Sequence, residues 1–304
     1  MSVWGFERRP SFNSNTHTLK HLNTQTLMFN LNTQLVNELP DGLAFAQRGL
    51  FYGDALFETI RVFEGKIPLM AAHWARLSNG LRAMRYSVPA QWSAAFFEHE
   101  ILKTAPKNAR ARLTVWRSPG GLYLPENDAP QFLVTVSALE SDVFEWDFNG
   151  VKIGLCESVR LPMDTLSGLK TLNAARYVAA AQEAREKGWD DAIILNAADR
   201  VCEATSSNVF WFENETLCTP PLVDGCVTGV MRELLLFLTK ADEYAVQEKP
   251  ATFARLLAAD EVFLTNAIRG IRWVREIEGT ALGFAKTRKI FELMVGRFSQ
   301  KMRG

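Results

Sequence analysis

Lys170 stands in the segment SGLKTLN, and Glu203 opens the segment EATSSNVF thirty-three residues later. A lysine amine can condense with an aldehyde, but the electrons released in the next step need somewhere to go. A carboxylate facing the nitrogen of an aromatic ring keeps that ring protonated and makes it an electron sink. Taken singly, either residue is most often a solvated surface group. Glu203, however, lies in the apolar run VCEAT, where an unpaired carboxylate is costly to bury. A protonated ring nitrogen is a partner that removes this cost, and a structural ion pair with an arginine is the alternative. Ser167-Gly168 ahead of the lysine lets the backbone approach a ligand closely. Thr205, Ser206, Ser207 and Asn208 follow the glutamate at once, and their short polar side chains can bond a ligand or the turn itself.

These groups suit pyridoxal 5'-phosphate (PLP), and the chain resembles the class IV aminotransferases, the PLP enzymes of fold type IV. The resemblance is carried by RGLFYGDALFETIRV with HWARL behind it, by LKTLN, by EATSSNVFWF with DGCVTGVMRELL, and by EVFLTNAIRGI. It implies a mixed α/β, α+β architecture of two domains with PLP between them, and a homodimer whose partner loop helps close the pocket. It also implies that Lys170 carries the cofactor and moves protons, while Glu203 faces the ring nitrogen. Arg76 in HWARL falls where the family grips the phosphate, and a guanidinium can do so with two parallel bonds. Gly229-Val230-Met231-Arg232 resembles the family's glycine-led helix start, where backbone N–H groups meet phosphate. Asn266 and Ala267 complete the cofactor set. Met231 and Ala267 each replace a threonine usual in the aminotransferases.

The substrate needs positive groups if it carries carboxylates. Arg112 and Arg117 around the Gly-rich loop are the chosen anchors, with Arg61 and Arg269 as further candidates and Tyr123 as a hydrogen-bonding loop tip. Glu58 reads as an ion pair with Arg61 or another nearby basic group, and His73 as a packing residue. The loop reads GGLYLP, without the arginine and histidine that the D-amino-acid aminotransferases carry. The two lost threonines and the LKTLN and TNA segments look closer to the 4-amino-4-deoxychorismate lyase branch, which forms 4-aminobenzoate and pyruvate for folate synthesis. A branched-chain or D-amino-acid type aminotransferase is the alternative. A non-catalytic binding protein on the same scaffold is a remote one, because it has no need to keep both Lys170 and Glu203.

Composition bounds the rest. The chain has 304 residues, with 34 Lys+Arg against 34 Asp+Glu. That length suggests about two domains, and a zero net charge gives no reason to expect nucleic acid or an anionic membrane as partner. No stretch is apolar for long enough to span a bilayer. Cys156, Cys202, Cys218 and Cys226 have neither C-x-x-C spacing nor histidines placed to bind a metal, so reduced thiols in a cytoplasmic enzyme are expected, with no metal.

The elements that position these groups follow from periodicity. Residues 1–27 are polar and read as an extension, residues 28–145 as a small α/β domain, and residues 146–304 as a larger cofactor-binding domain. The alternation of MFNLNTQLV predicts a first strand and ALFETIRVF a second. Trp74, Leu77, Leu81 and Met84 recur with the period of one helix face. ARLTVW and QFLVTV are expected as strands around a long loop, and VKIGL, DAIIL, RVCEA, NVFWF and EVFLT as strands of the second half, with helices over 174–187, 229–240 and 284–299.

Overall fold

The computed structural model describes residues 29–36 and 47–303. The expected extension, residues 1–27, lies outside them. In chain order the elements begin with β1 (Phe29–Leu31), β2 (Gln34–Val36), α1 (Gln47–Tyr52) and β3 (Ala55–Val62). Helices α2 (Met70–Ala83) and α3 (Ala94–Leu102) follow, then β4 (Ala109–Arg117) and β5 (Pro130–Ala138). The five strands form one antiparallel sheet in the order β2-β1-β5-β4-β3.

Alternation sets the two faces of this sheet. Leu56, Ile60 and Val62 of β3 and Ala109, Ala111, Leu113 and Val115 of β4 join one apolar core with Leu77 and Leu81 of α2 and Phe97 and Ile101 of α3. The intervening residues, Phe57 and Thr59 of β3 and Arg110 and Arg112 of β4, therefore turn to the opposite face. Thr59 pairs with Arg112 and Arg61 with Arg110, which brings the two arginines of β4 side by side.

The second half starts with β6 (Val151–Leu155), α4 (Ala175–Glu186), β7 (Asp191–Leu195), β8 (Val201–Ala204), β9 (Asn208–Glu213) and β10 (Thr216–Thr219). After α5 (Val230–Ala241) come β11 (Ala245–Glu248), α6 (Phe253–Leu257), β12 (Glu261–Asn266), β13 (Gly270–Ile277), β14 (Thr280–Ala281) and α7 (Ala285–Arg303). These strands make a nine-stranded mixed sheet in the order β11-β10-β9-β12-β13-β6-β7-β8, with β14 added on β13. One face packs Phe210, Phe212 and Phe263 against Leu235 of α5 and Ile290 and Met294 of α7. The fold is thus a mixed α+β arrangement of two sheets, as expected. Strand β13 was not foreseen, because GIRWVREI carries three charges in eight residues.

Two arginines fasten the parts. Arg61 donates to the backbone oxygens of Ser141, Val143 and Ile268, and so ties β3 to the connecting segment and to the turn after β12. Arg117, at the end of β4, donates to Asp54 Oδ2 at 2.9 Å, to Asp128, and to the Met84 carbonyl at 2.6 Å. Its guanidinium also lies 4.0 Å from the Tyr86 ring centroid, and the residue is buried. Removing this guanidinium loses its charged hydrogen bonds, at a cost of about 2 kcal/mol, while Asp54 keeps Arg48 and Asp128 stays half-exposed to water. Arg117→Met should therefore lower the unfolding free energy by about that amount in a urea titration; an unchanged midpoint would mean the network contributes nothing.

Candidate active site

The lysine is placed by backbone pairing. Phe57 N–H donates to the Lys170 carbonyl at 2.9 Å and Leu172 N–H to the Ala55 carbonyl at 3.0 Å. The segment around Lys170 thereby runs along the outer edge of β3, with a bridge between Leu56 and Thr171. Thr228 N–H reaches the Gly168 carbonyl from the other side. Lys170 Nζ lies 4.5 Å from the Phe57 ring centroid, on the face that β3 turns away from its own core. Burial lowers the lysine's pKa and the positive charge of Arg76 adds to this, while Glu58 and Glu203 oppose it. A lysine so placed supplies neutral amine more readily than a solvated one.

A cavity of about 550 Å3 opens in front of it, lined by both sheets. Glu203 forms part of the wall, in the middle of the fully buried β8. Its Oε1 accepts from Tyr177 Oη at 2.6 Å, and its Oε2 from Asn208 Nδ2 at 3.1 Å and Val227 N–H at 3.2 Å. Burial pushes this carboxyl up to about 7, against the Tyr177 hydrogen bond and the charge of Lys170. Among the described residues it forms no salt bridge, so the alternative of an arginine ion pair is not what the structure contains. The three donors it does have are neutral, which leaves a buried carboxylate suited to a cationic ring nitrogen.

Another part of the cavity wall suits a phosphate. Gly229, Val230 and Met231 start α5 there, and the Gly229 cap makes no side-chain hydrogen bond. A Cβ on Gly229 would fall 1.8 Å from Asn208 Oδ1, so only glycine fits. Met231 sends its side chain into the core of Phe210 and Leu235, which accounts for a methionine at this position. Arg76 lines the same cavity, but most of its donors are engaged: Nε and one terminal nitrogen bond Glu58, and the other bonds the Thr228 carbonyl at 3.0 Å. By donor count one N–H on each terminal nitrogen is left for a ligand.

Glu58 has resolved into that ion pair. Its partners are Arg76 and His73, whose Nδ1 is 2.7 Å from Glu58 Oε2, and not Arg61. Burial raises the Glu58 pKa, but the charge and hydrogen bonds of Arg76, with the bond from His73, outweigh it and hold the carboxyl at about 2. His73 itself is pushed below its ordinary value by burial, against the pull of Glu58.

The polar run after Glu203 divides. Thr205 Oγ1 donates to Asp191 at 2.6 Å and Asn208 bonds Glu203 and the Val227 carbonyl, so both serve the wall. Ser206 and Ser207 line the cavity, and Ser207 Oγ accepts from Asn266 Nδ2 at 3.1 Å. Asn266 and Ala267 line it too.

On the substrate side the cavity contains Arg112, its guanidinium 4.0 Å from the Phe57 ring centroid, together with Arg110 and Arg269. Burial and the neighbouring charge of Arg110 both lower the Arg112 pKa. Two expectations are corrected. Arg117 does not line the cavity, because Asp54 and Asp128 hold its guanidinium elsewhere. Tyr123 is 89% exposed and packs on Tyr52, outside the cavity of this chain. Arg110 and Tyr177 were overlooked; for Arg110 the signal was its i, i+2 spacing from Arg112 on a strand.

The pattern that defines the amino-transferase class IV family matches residues 55–277, and the chain belongs to that family. It is 28% identical to an aminodeoxychorismate lyase of Vibrio harveyi, over 88% of this chain and 97% of that one. It is 27% identical to a D-alanine aminotransferase of Bacillus licheniformis, over 83% and 89%. The crystal structure of 4-amino-4-deoxychorismate lyase from Pseudomonas aeruginosa superposes with a TM-score of 0.75 at 30% identity, covering 84% of this chain and 95% of that one. The family consists of enzymes that depend on PLP.

Glu58 is the group most open to a test by pH. Its depressed pKa contributes stability that is present above about 4.5 and lost as the pH falls toward about 2. Glu58→Gln should thus be less stable than the natural chain at pH 7, by on the order of 3 kcal/mol. The difference should shrink as the pH is lowered through that window, and parallel denaturation curves at pH 7 and pH 3 would sink the assignment.

Proposed function

We propose that the protein is a PLP-dependent 4-amino-4-deoxychorismate lyase, with Lys170 as its catalytic residue. The observation that carries this reading is the cationic wall of Arg110 and Arg112, adjacent on one strand face and joined at the cavity by Arg269. None of the three forms a salt bridge among the described residues. Three unpaired guanidinium groups suit a substrate with two carboxylates, whereas the side chain of a branched-chain amino acid needs apolar surface there. The homologues named above are lyase and aminotransferase alike, so the wall, and not the family, favours the lyase.

The residues present fit PLP at both ends: Glu203 for the ring nitrogen, and the start of α5 with Arg76, Ser206 and Ser207 for the phosphate. When bound, the ring accepts the electron pair released at the substrate carbon. Lys170 takes the proton from the amino-bearing carbon, and its desolvated site keeps the amine free to do so. Arg110 and Arg112 hold the carboxylates so that the neighbouring carbon can shed its enolpyruvyl oxygen. The substrate ring becomes aromatic, and the departing enolpyruvate takes up the proton that Lys170 removed, so that 4-aminobenzoate and pyruvate result. No described helix is long and apolar enough to cross a membrane. We place the enzyme in the cytoplasm as a homodimer, in which the exposed Leu122, Tyr123 and Leu124 meet the partner subunit.

An aminotransferase acting on branched-chain or D-amino acids is the second reading, favoured by the D-alanine aminotransferase homologue. The deciding assay supplies aminodeoxychorismate and, separately, leucine and D-alanine with 2-oxoglutarate. Release of 4-aminobenzoate is expected; rapid amino transfer without it would replace the lyase by the transaminase. Arg112→Ala should raise KM for aminodeoxychorismate by roughly 10-fold or more, as expected for loss of a charged hydrogen bond. An unaltered KM would remove Arg112 from the site. Lys170→Ala should bind PLP without becoming covalently fixed by borohydride; fixation at another lysine would disprove the role of Lys170.

A further inference from the structure

Tyr177, in the first turns of α4, is the one donor to Glu203 that a helix supplies, the others coming from β9 and the loop before α5. Its Oη donates to Oε1 at 2.6 Å, while Asn208 and the Val227 N–H both reach Oε2. A carboxylate offers about four in-plane acceptor positions, two on each oxygen. The two on Oε2 are filled and Tyr177 fills one on Oε1, so a single position is left for a ligand. Tyr177 itself lines the cavity and packs among Cys156, Leu161 and Ala180.

We propose that Tyr177 is a positioning residue that leaves Glu203 one acceptor position, on Oε1, for the ring nitrogen of PLP, and limits the basicity of that oxygen. The proposal rests on PLP as cofactor but not on the choice between lyase and transaminase. An O–H donor bonded to Oε1 draws electron density from the same atom that competes with the ring for the shared proton. With the phenol in place the proton stays on the ring; without it, the proton moves toward the carboxylate. The other ionisable groups around Glu203 are Lys170 beside β3, Arg76 of α2, Cys202 on its own strand and Cys226 before α5, with Asp224 beyond the two cysteines. Burial, and after it the charge of Glu203, raise the pKa of the phenol, so it remains a donor throughout the neutral range.

The test is the 15N resonance of ring-labelled PLP bound to the full-length chain at pH 7.5, without substrate. Tyr177→Phe keeps the aromatic packing and removes only the hydroxyl. A rise of about one unit in the carboxyl pKa changes the ratio of the two proton positions about tenfold. The resonance should therefore move toward the value of a neutral pyridine. Tyr177→Leu, which also lacks the hydroxyl, should show the same displacement even though its packing and melting temperature differ. An unchanged resonance in both variants overturns the role of Tyr177 and leaves the cofactor assignment standing. Failure of the natural chain to bind PLP at all overturns both.

Discussion

The pairing of the Lys170 segment with the edge of β3 is the contact on which the site depends. β3 is the last strand of the five-stranded sheet, and its free edge would otherwise present unpaired N–H and C=O groups. Phe57 N–H bonded to the Lys170 carbonyl, and the Ala55 carbonyl bonded by Leu172 N–H, fill that edge. The lysine is held by backbone rather than by its own side chain, so Nζ is free to react while its root stays fixed. The same edge turns Phe57 toward the amine. One short stretch of sheet thus closes an edge, joins the two halves of the chain and aims the nucleophile.

Electrostatics divides the cavity into regions of opposite sign. Glu203 provides the negative end and is kept so by donors that carry no charge. Arg110, Arg112 and Arg269 provide the positive wall. Glu58 prevents Arg76 from adding fully to that wall, because it binds two of the guanidinium nitrogens and fixes the direction of the rest. A glutamate and a histidine with no place in the cavity lining therefore govern how an arginine in it can act.

Much of the architecture was legible because it rests on local patterning. The alternation in β3 and the helical period of Trp74, Leu77, Leu81 and Met84 reappear as one buried core. The Lys170, Glu203 and Gly229 segments were recognisable by residue type and order. What was not legible depends on distance in the chain. Arg117 looked like an anchor because the loop beside it does, but Asp54, 63 positions away, claims its guanidinium. Tyr177 looked like an ordinary helix residue, since nothing in α4 announces Glu203 as its neighbour 26 positions on. Strand β13 was hidden by charges that a period of two does not discount.

The three carbonyls gripped by Arg61 have a mechanical consequence. Swinging the two sheets apart about the segment near residues 141–143 would break bonds to Ser141, Val143 and Ile268 together. A guanidinium remains charged throughout the physiological range, so acidity does not release this latch. The seam behind the cavity is accordingly the stiff side of the molecule.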